Sequence, residues 1–398
     1  MKMRATLVAT AAAALALAGC GGSSGTTGST GQGGFKAPPM KAVTHLGPGE
    51  GQVNLISWPG YVEDGSSDKS VDWVHPFEKA TGCMVKNHAA GTSDEMVNLM
   101  KTGQYDAVSA SGDATLRLIA AGSVQPINTK LIPSYKDVFS GLKMKPWNSV
   151  NGVAYGVPHG RGANVLMYRT DLVKPAPTSW DVVWNKASPY KGKVTAYDSP
   201  IYIADAAVYL MAHRPDLKIK DPYALDDKQF NAAVALLKKQ NADIGEYWSD
   251  ALKQVQSFKS GDLAVGTSWQ YNVNLAQSEK APVDAVLPSE GSTGWSDTWM
   301  IAAHTKHLTC AYKWLNWIIS PKVNAQVAEW FGEAPSDSKS CALTSDKNFC
   351  TTYHANDEAY FKKIWYWTTP IKQCLDGRTD VSCKTYADWT TAWQEIKG

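Results

Sequence analysis

From residue 51 onward the sequence lacks an apolar run of the roughly 20 residues that a bilayer-spanning helix needs. It also lacks an excess of charge, because 39 basic and 37 acidic side chains leave a formal net charge of +2. The same part of the chain contains no GxSxG or HExxH sequence and no cysteine spacing typical of zinc. These absences argue against nucleic-acid binding and against common hydrolase chemistry. We expect neither a metal ion nor a cofactor.

Phenylalanine is also scarce, with 8 residues against 16 Trp and 17 Tyr. A core alone could be packed with Phe, whereas Trp and Tyr add a polar edge to an apolar ring. The bias therefore predicts that some of these rings line a hydrated surface.

The N-terminal residues have the organisation of a secretory signal. Residues 1–4 are short and basic, and residues 5–18 are almost wholly apolar. Residues 17–20 resemble the bacterial lipoprotein box, which implies a signal peptide over 1–19 and a diacylglycerol on Cys20. Residues 20–50 are rich in Gly, Ser and Thr, which predicts a flexible tether. We therefore expect an exported protein anchored by lipid to the outer face of the cytoplasmic membrane.

Six further cysteines follow Cys20. An even number in an exported protein predicts disulfides, although six cysteines allow many pairings. The simplest set joins sequence neighbours and leaves one long-range bridge: Cys341–Cys350, Cys374–Cys383 and Cys83–Cys310.

Strand and helix patterns alternate along the body of the chain. Predicted strands cover residues 53–58, 84–90, 105–111, 193–198, 263–269 and 298–303. Predicted helices cover residues 72–82, 92–103, 113–122, 204–213, 227–240, 248–261 and 310–332, the last broken at Pro321. This alternation indicates an α/β fold with largely parallel sheets, whose ligands bind at the carboxyl ends of the strands.

Five segments occur in an order that resembles a known family. They read ISWPGYV, GQYDAVSASGD, VNGVAYGVPHGRGANVLMYRTDLV, FKSGDLAVGTSW and VLPSEGSTGWSDTWMIA. Together they resemble the bacterial extracellular solute-binding proteins of the spermidine/putrescine type, which supply ABC importers. The resemblance implies a two-lobed periplasmic-binding-protein fold of type II, with mostly parallel sheets, flanking helices and a hinged cleft. Lobe 1 would comprise residues 51–157 and 297–338, and lobe 2 residues 158–296 and 339–398.

The same resemblance implies a set of ligand-binding residues in the cleft. By motif these are Trp58, Tyr61, Ser111, Trp269, Trp295 and Asp297. A polyamine needs aromatic walls for its methylenes and carboxylates for its ammonium groups, since an unpaired buried cation is costly. Asp113 falls at another ligand-side position, where it could hold an ammonium or cap a helix.

Three departures from the family pattern leave the ligand open. Glu333 stands where relatives often carry an aromatic residue, and it would add negative charge. Arg161 stands at the crossing between lobes, where it could attract a ligand carboxylate or neutralise an acid within the protein. The acidic segment of lobe 2 is not clearly reproduced. Its candidates are Asp198, Asp205 and Glu246, and Trp365 or Trp367 could reach the cleft from the C-terminal segment.

We therefore predict a monomeric substrate-binding lipoprotein that captures a polyamine or similar small amine and delivers it to membrane permease subunits. A zwitterionic or amino-acid-like ligand is the alternative. A remote alternative is an exported glycosidase-like enzyme, because paired carboxylates in an aromatic cleft also suit that chemistry.

Overall fold

The computed structural model describes residues 35–185 and 188–398, so the predicted signal peptide and Cys20 lie outside it. The described strands are β1 Gln52–Ser57, β2 Met84–Ala89, β3 Ala107–Ala110, β4 Ser149–Val150, β5 Val153–Ala154, β6 Val157–Pro158, β7 Gly160–Arg169, β8 Val194–Tyr197, β9 Ile244–Trp248, β10 Val265–Trp269, β11 Val283–Val286, β12 Ser292–Trp295, β13 Thr298–Ile301, β14 Ala334–Pro335 and β15 Ile364–Tyr366. The described α-helices are α1 Val74–Thr81, α2 Ser93–Met100, α3 Gly112–Ala120, α4 Asp181–Trp184, α5 Ile203–His213, α6 Asp227–Gln240, α7 Ala251–Ser260, α8 Gln270–Ser278, α9 Leu308–Ile318, α10 Pro321–Phe331, α11 Phe349–Thr352, α12 Glu358–Phe361 and α13 Tyr386–Lys397. No helix in these ranges is long and apolar enough to cross a membrane.

Two sheets organise the chain. The first has the order β2-β1-β3-β13-β6, and the second has the order β15-β12-β7-β10-β8-β9, with β11 and β14 also pairing with β7. Within each sheet the strands joined by helices pair in parallel, such as β1 with β2 and β8 with β10. The α/β class predicted from the alternating pattern is confirmed.

The antiparallel pairs arise where the chain passes between the sheets. It leaves the first sheet after β6 and enters the second in β7, and it returns between β12 and β13. The short strand β14 then pairs with the start of β7, with Ala334 opposite Arg161. The sheets are therefore mixed rather than mostly parallel, because the connecting strands run against their neighbours. We retain the predicted lobe boundaries as a proposal, since these crossings lie at them.

Local signals explain most element bounds. The Thr92 side chain accepts a hydrogen bond from the Glu95 amide at the start of α2, which buries Met96 and Met100. One predicted boundary is wrong, because the helix expected over 248–261 begins at Ala251. Residues 244–248 instead form β9, a strand that the apolar pattern did not indicate, and Asp250 caps the helix that follows.

The segment over residues 35–50 differs from the predicted tether. Phe35, Val43 and Leu46 pack against the core of the first sheet. The Asn128 amide donates a 2.9 Å hydrogen bond to the Val43 carbonyl. Part of the predicted tether therefore lies on the folded body, because its few apolar side chains find a surface that buries them.

The predicted disulfides are confirmed as the three pairs Cys83–Cys310, Cys341–Cys350 and Cys374–Cys383. The first joins residues 227 positions apart and links the segment between α1 and β2 to α9. The other two close short loops of the C-terminal region. The long-range bridge thus ties the first sheet's early strands to the chain that returns after the second crossing.

Candidate ligand-binding site

The motif residues lie together where strands of the two sheets end. Trp58 and Tyr61 follow β1, Ser111 follows β3, and Trp269 is the last residue of β10. Asp297 lies in the short connection between β12 and β13, two residues after Trp295. Carboxyl ends of neighbouring strands meet at one edge of a sheet, which is where α/β proteins bind ligands.

A buried acidic cluster forms the floor of this site. The hydroxyl of Tyr61 lies 2.7 Å from Oδ2 of Asp297 and 3.0 Å from Oε2 of Glu333. Ser111 Oγ donates a hydrogen bond to the other oxygen of Asp297. Glu333 is fully buried and Asp297 is 3% exposed. Two acids from separate segments of the chain therefore contact the same Tyr61 hydroxyl, and both are shielded from bulk water.

Burial controls the ionisation of this cluster. It raises the pKa of Asp297 to about 7, against the opposing hydrogen bonds from Ser111 and Tyr61. Burial and the nearby Asp297 charge hold the pKa of Glu333 well above its usual value. Two like charges at this separation disfavour each other strongly in a low-dielectric site. The pair therefore binds a proton, or a cation in its place, near neutral pH.

His159 contacts the same cluster and was not expected from the sequence. Its Nδ1 accepts a 3.0 Å hydrogen bond from the indole of Trp299, so its proton lies on Nε2, which is 3.4 Å from Oε1 of Glu333. Burial lowers the pKa of His159 to about 3. The imidazole is therefore neutral and places no positive charge beside Glu333; neither His159 Nε2 nor Glu333 Oε1 has a hydrogen-bond partner among the described residues.

Aromatic rings enclose the space above Asp297. A cavity of about 10 Å³ lies there between side chains of both sheets: Trp58, Ser111, Trp269, Trp295, Asp297, Phe331 and Trp367. The rings of Trp58 and Trp269 meet edge to face, with centroids 6.3 Å apart. Trp367 stacks on Tyr197 with centroids 5.5 Å apart. A cavity of this size admits one group of the size of water or ammonium.

Two glycines of β7 make room for this arrangement. A Cβ at Gly160 would lie 2.3 Å from the Glu333 carboxyl, and one at Gly162 would lie 2.4 Å from the Trp295 ring. Both glycines therefore face the site, because alternate residues of a strand share a face. The sequence HGRGAN thus permits the close approach of a carboxylate and an indole to the strand.

Arg161 lies between these glycines and consequently points to the opposite face of β7. Its Nη2 donates to Oε1 of Glu358 at 2.8 Å and to the Ala355 carbonyl at 3.2 Å. The guanidinium also lies 3.6 Å from the ring centroid of Phe361. Of the two alternatives left open for Arg161, these contacts support a charge neutralised within the protein, and a role in ligand binding stays an untested prediction.

The candidate acids of lobe 2 lie away from the cavity. Asp198 accepts hydrogen bonds from Trp393 and Lys397 of the C-terminal helix. Asp205 accepts one from Thr293, and burial raises the pKa of Asp205 to about 8. Glu246 accepts one from Ser257 on α7. None of the three joins the acidic cluster, because each is held by a neighbour within lobe 2.

Asp113 does not occupy the N-cap position, which was one of its two possible roles, and its contact with a ligand stays a prediction. Its carboxylate accepts a 2.8 Å hydrogen bond from Ser93, joining the first turns of α2 and α3, and Ser111 occupies the N-cap position instead. Burial raises the pKa of Asp113 to about 6. Asp113 therefore lies beneath the site and adds negative potential to it. Of the two late tryptophans, Trp367 lines the cavity and Trp365 lines a different surface depression.

A larger cavity of about 480 Å³ adjoins the first and shares Trp58, Trp269 and Phe331 with it as walls. It lies between segments of both sheets and also contacts Glu63 and Tyr271. Sequence reasoning missed Glu63 and Phe331, although each lies two residues from a predicted site residue. Residues 35–185 and 188–398 contain no cluster of three or more His, Cys, Asp or Glu side chains suited to a metal ion.

Comparison with known proteins identifies the class. Residues 72–355 match the family described as bacterial extracellular solute-binding protein, and the chain belongs to this family. It is 28% identical over 276 residues to spermidine/putrescine-binding periplasmic protein 1 of Haemophilus influenzae, covering 68% of this chain and 71% of that protein. It is 26% identical over 282 residues to the spermidine/putrescine-binding periplasmic protein of Escherichia coli, covering 70% and 75%.

Solved structures show the same fold. The Tp0655 (TpPotD) lipoprotein of Treponema pallidum superposes with a TM-score of 0.67 at 16% identity, over 87% of this chain and 99% of that one. The predicted two-lobed binding-protein fold is thus confirmed. The family consists of solute-binding proteins, so the glycosidase-like alternative is excluded. Membership also supports a location outside the cytoplasm.

Proposed function

We propose that this protein binds a linear polyamine of the spermidine/putrescine class and delivers it to the permease of an ABC importer. One terminal ammonium group binds at Asp297 and Glu333, where it takes the place of the shared proton. Trp58, Trp269 and Trp295 contact the methylenes beyond it. Each buried methylene contributes about 0.8 kcal/mol, and each ring face over a cation about 0.5 to 2 kcal/mol.

The observation that carries this proposal is the acidic pair around Tyr61. Two buried carboxyl groups share one hydroxyl, and the basic side chain in contact with them, His159, is held neutral. The cost of burying negative charge without a cation is large. A ligand ammonium group relieves this cost, and a neutral solute would not.

The zwitterionic alternative has less support. A ligand carboxylate would need a cation in the cleft, and Arg161, the candidate for that role, pairs with Glu358. Of the described residues that line the two adjoining cavities, none is Lys, Arg or His, whereas Arg161 borders a smaller third cavity together with Glu333. The potential there favours ligands with net positive charge.

We further propose that Cys20 carries the lipid anchor and that closure of the two lobes over the ligand creates the form recognised by the permease. Ligand can drive closure only by binding the closed form more tightly. Only the closed form brings Trp58 and Trp269 together, so only there would both rings contact one ligand, which supplies such a difference.

A thermal-shift screen tests the ligand class. The protein without residues 1–19, carrying Cys20→Ser, is heated with putrescine, cadaverine, spermidine, spermine, γ-aminobutyrate, basic amino acids and betaines. A ligand at about 100 times its dissociation constant adds roughly 2.7 kcal/mol of stability, which is readily measured. We expect stabilisation by the diamines or polyamines. Stabilisation by zwitterions alone would contradict the proposal.

A further inference from the structure

The 480 Å³ cavity beside the site contains a carboxylate that the family motifs do not assign. Glu63 lies in the loop after β1 and is 7% exposed. Its backbone carbonyl accepts hydrogen bonds from the amides of Trp73 and Val74 at the start of α1, which fixes the loop. Its carboxylate, by contrast, has no hydrogen-bond or ion-pair partner among the described residues. Its oxygens are not among the buried atoms that lack a partner, so the carboxylate borders open space and can contact a ligand there.

The cavity that Glu63 lines has no positive charge among its described walls. Its aromatic walls are joined by polar residues that include Ser67 and Asp250, and Glu63 also lines a second, more polar depression; the aromatic walls are Trp58, Trp269, Tyr271, Trp330 and Phe331. Tyr271 stacks on Phe331 across the two lobes, with centroids 5.6 Å apart. Burial and the Glu63 charge both raise the pKa of Tyr271, so the carboxylate acts across this cavity.

The two cavities adjoin at the paired indoles of Trp58 and Trp269. The space above Asp297 has room for one ammonium group, and its walls Trp58, Trp269 and Phe331 are also walls of the larger cavity. A chain bound by one end at Asp297 can continue only where there is volume. On the other side, Trp367 and Tyr197 stack against each other and fill the space. The larger of the two volumes that adjoin this space leads to Glu63; the other, of about 50 Å³, shares Trp295 with it and is bordered by Arg161 and Glu333.

We propose that Glu63 is a second ammonium subsite, so that the ligand is a linear α,ω-diamine or polyamine that extends from Asp297 to Glu63 between the rings of Trp58 and Trp269. This inference rests on the proposed function and specifies the direction in which the ligand lies. Exposed Asp250 on the rim of the same cavity adds negative potential near the mouth. A site with a carboxylate at each end of an aromatic passage selects for two separated cations.

The test compares ligands that differ by one amino group. Calorimetry measures α,ω-diamines of increasing length, starting with putrescine, each beside the n-alkylamine of the same carbon number. The wild-type protein is compared with Glu63→Gln and Glu63→Ala. Glu246→Gln is the matched control, since that acid lies away from both cavities. Retained binding of alkylamines shows that each variant is folded.

We expect a gain in affinity when the second amino group reaches Glu63. Both Glu63 variants should lose about tenfold or more of diamine affinity, while alkylamine affinity stays unchanged. The inference is overturned if no diamine exceeds its alkylamine, or if the gain survives in Glu63→Gln. Diamine binding that depends on Asp297 but not on Glu63 would remove this inference alone. Absence of all amine binding would remove the proposed function as well.

Discussion

The hydroxyl of Tyr61 donates a 2.7 Å hydrogen bond to Asp297, 236 positions further along the chain. The same oxygen lies 3.0 Å from Glu333. A phenol has one proton to donate, so the second contact needs a proton supplied by the carboxyl group. The raised pKa of Glu333 provides that proton, so a shared proton holds the ligand-free pair together, while Oε1 of Glu333 has no hydrogen-bond partner among the described residues.

Removing this hydroxyl tests its role in arranging the two acids. We expect Tyr61→Phe to weaken amine binding by about tenfold, because hydrogen bonds to charged groups contribute about 1.5 to 3 kcal/mol. Calorimetry with spermidine or putrescine measures the change. Tyr105→Phe is the control, since that ring packs near His88 away from the site. Equal affinities of Tyr61→Phe and wild type would show that the hydroxyl does not organise the site.

Amine binding should release a proton. A bound ammonium requires both carboxylates to be ionised, whereas burial raises the pKa of Asp297 to about 7 in the protein alone. We therefore expect affinity to increase from about pH 5 to about pH 8, by up to about tenfold per pH unit below the pKa. Titration in buffers of different ionisation enthalpy measures the proton count directly. Identical heats in all buffers near neutral pH would contradict this expectation.

Replacing Glu333 with Gln distinguishes the contribution of Glu333 to proton release from that of Asp297. Asp297, Tyr61, His159 and Ser111 remain, and the repulsion between two carboxylates is removed. We expect fewer protons to be released on amine binding and a flatter dependence of amine affinity on pH.

The raised pKa of Asp297 also determines how the stability of the ligand-free protein changes with pH. A carboxyl group with a raised pKa stabilises the ligand-free protein at low pH, and this contribution is lost as pH rises from about 4 through about 7.

Arg161 should support the fold rather than the ligand. Its buried guanidinium binds Glu358 and the Ala355 carbonyl and lies over Phe361. We expect Arg161→Leu to lower the free energy of unfolding by about 1 to 3 kcal/mol. Affinity for amines should change less than about twofold, because the guanidinium faces away from the cavity.

The partner of Arg161, Glu358, is 56% exposed, so Glu358→Gln should lower the free energy of unfolding by about 1 kcal/mol or less. Binding of zwitterions by the wild type that is lost in Arg161→Leu, or loss of amine binding in that variant, would contradict this account.

Gly162 should be required for the position of Trp295. An added methyl group would lie 2.4 Å from the indole and force it to move. We expect Gly162→Ala to cost about 1 to 3 kcal/mol of stability through overpacking and to weaken amine binding. Chemical denaturation and calorimetry measure the two effects. Gly47→Ala is the control, because no atom lies within 4 Å of a Cβ there. Wild-type affinity in Gly162→Ala would show that the ring position is unimportant for binding.

Much of the architecture could be predicted from the sequence because its signals are local. Helix α6 has the predicted bounds, since Asp226 and Gln229 form a capping box before a regular apolar pattern. The strand β9 was missed because only Ile244 and Trp248 mark its five residues, and tertiary pairing with β8 decides its structure. The packing of residues 35–50 likewise depends on a partner surface distant in the chain.

The candidate site was predictable where a motif places a residue at a strand end, as for Trp58 and Asp297. It was not predictable where side-chain direction or a competing partner decides the outcome. Arg161 faces away because Gly160 and Gly162 occupy the site face of β7. Asp198 is held by Trp393 and Lys397, which lie almost 200 positions away. Glu63 carries no motif, and only the surrounding cavity distinguishes it.

The central claim is that Asp297 binds a ligand ammonium group in a buried acidic cluster. Calorimetry of wild type and Asp297→Asn with putrescine and spermidine tests this most directly, with Asp262→Asn on the surface as the control. Removing one partner of a desolvated charge pair should weaken binding by about 100-fold or more. The Asn variant should otherwise keep its fold, because the amide replaces the carboxylate in size. Affinity of Asp297→Asn equal to that of the wild type would contradict the account.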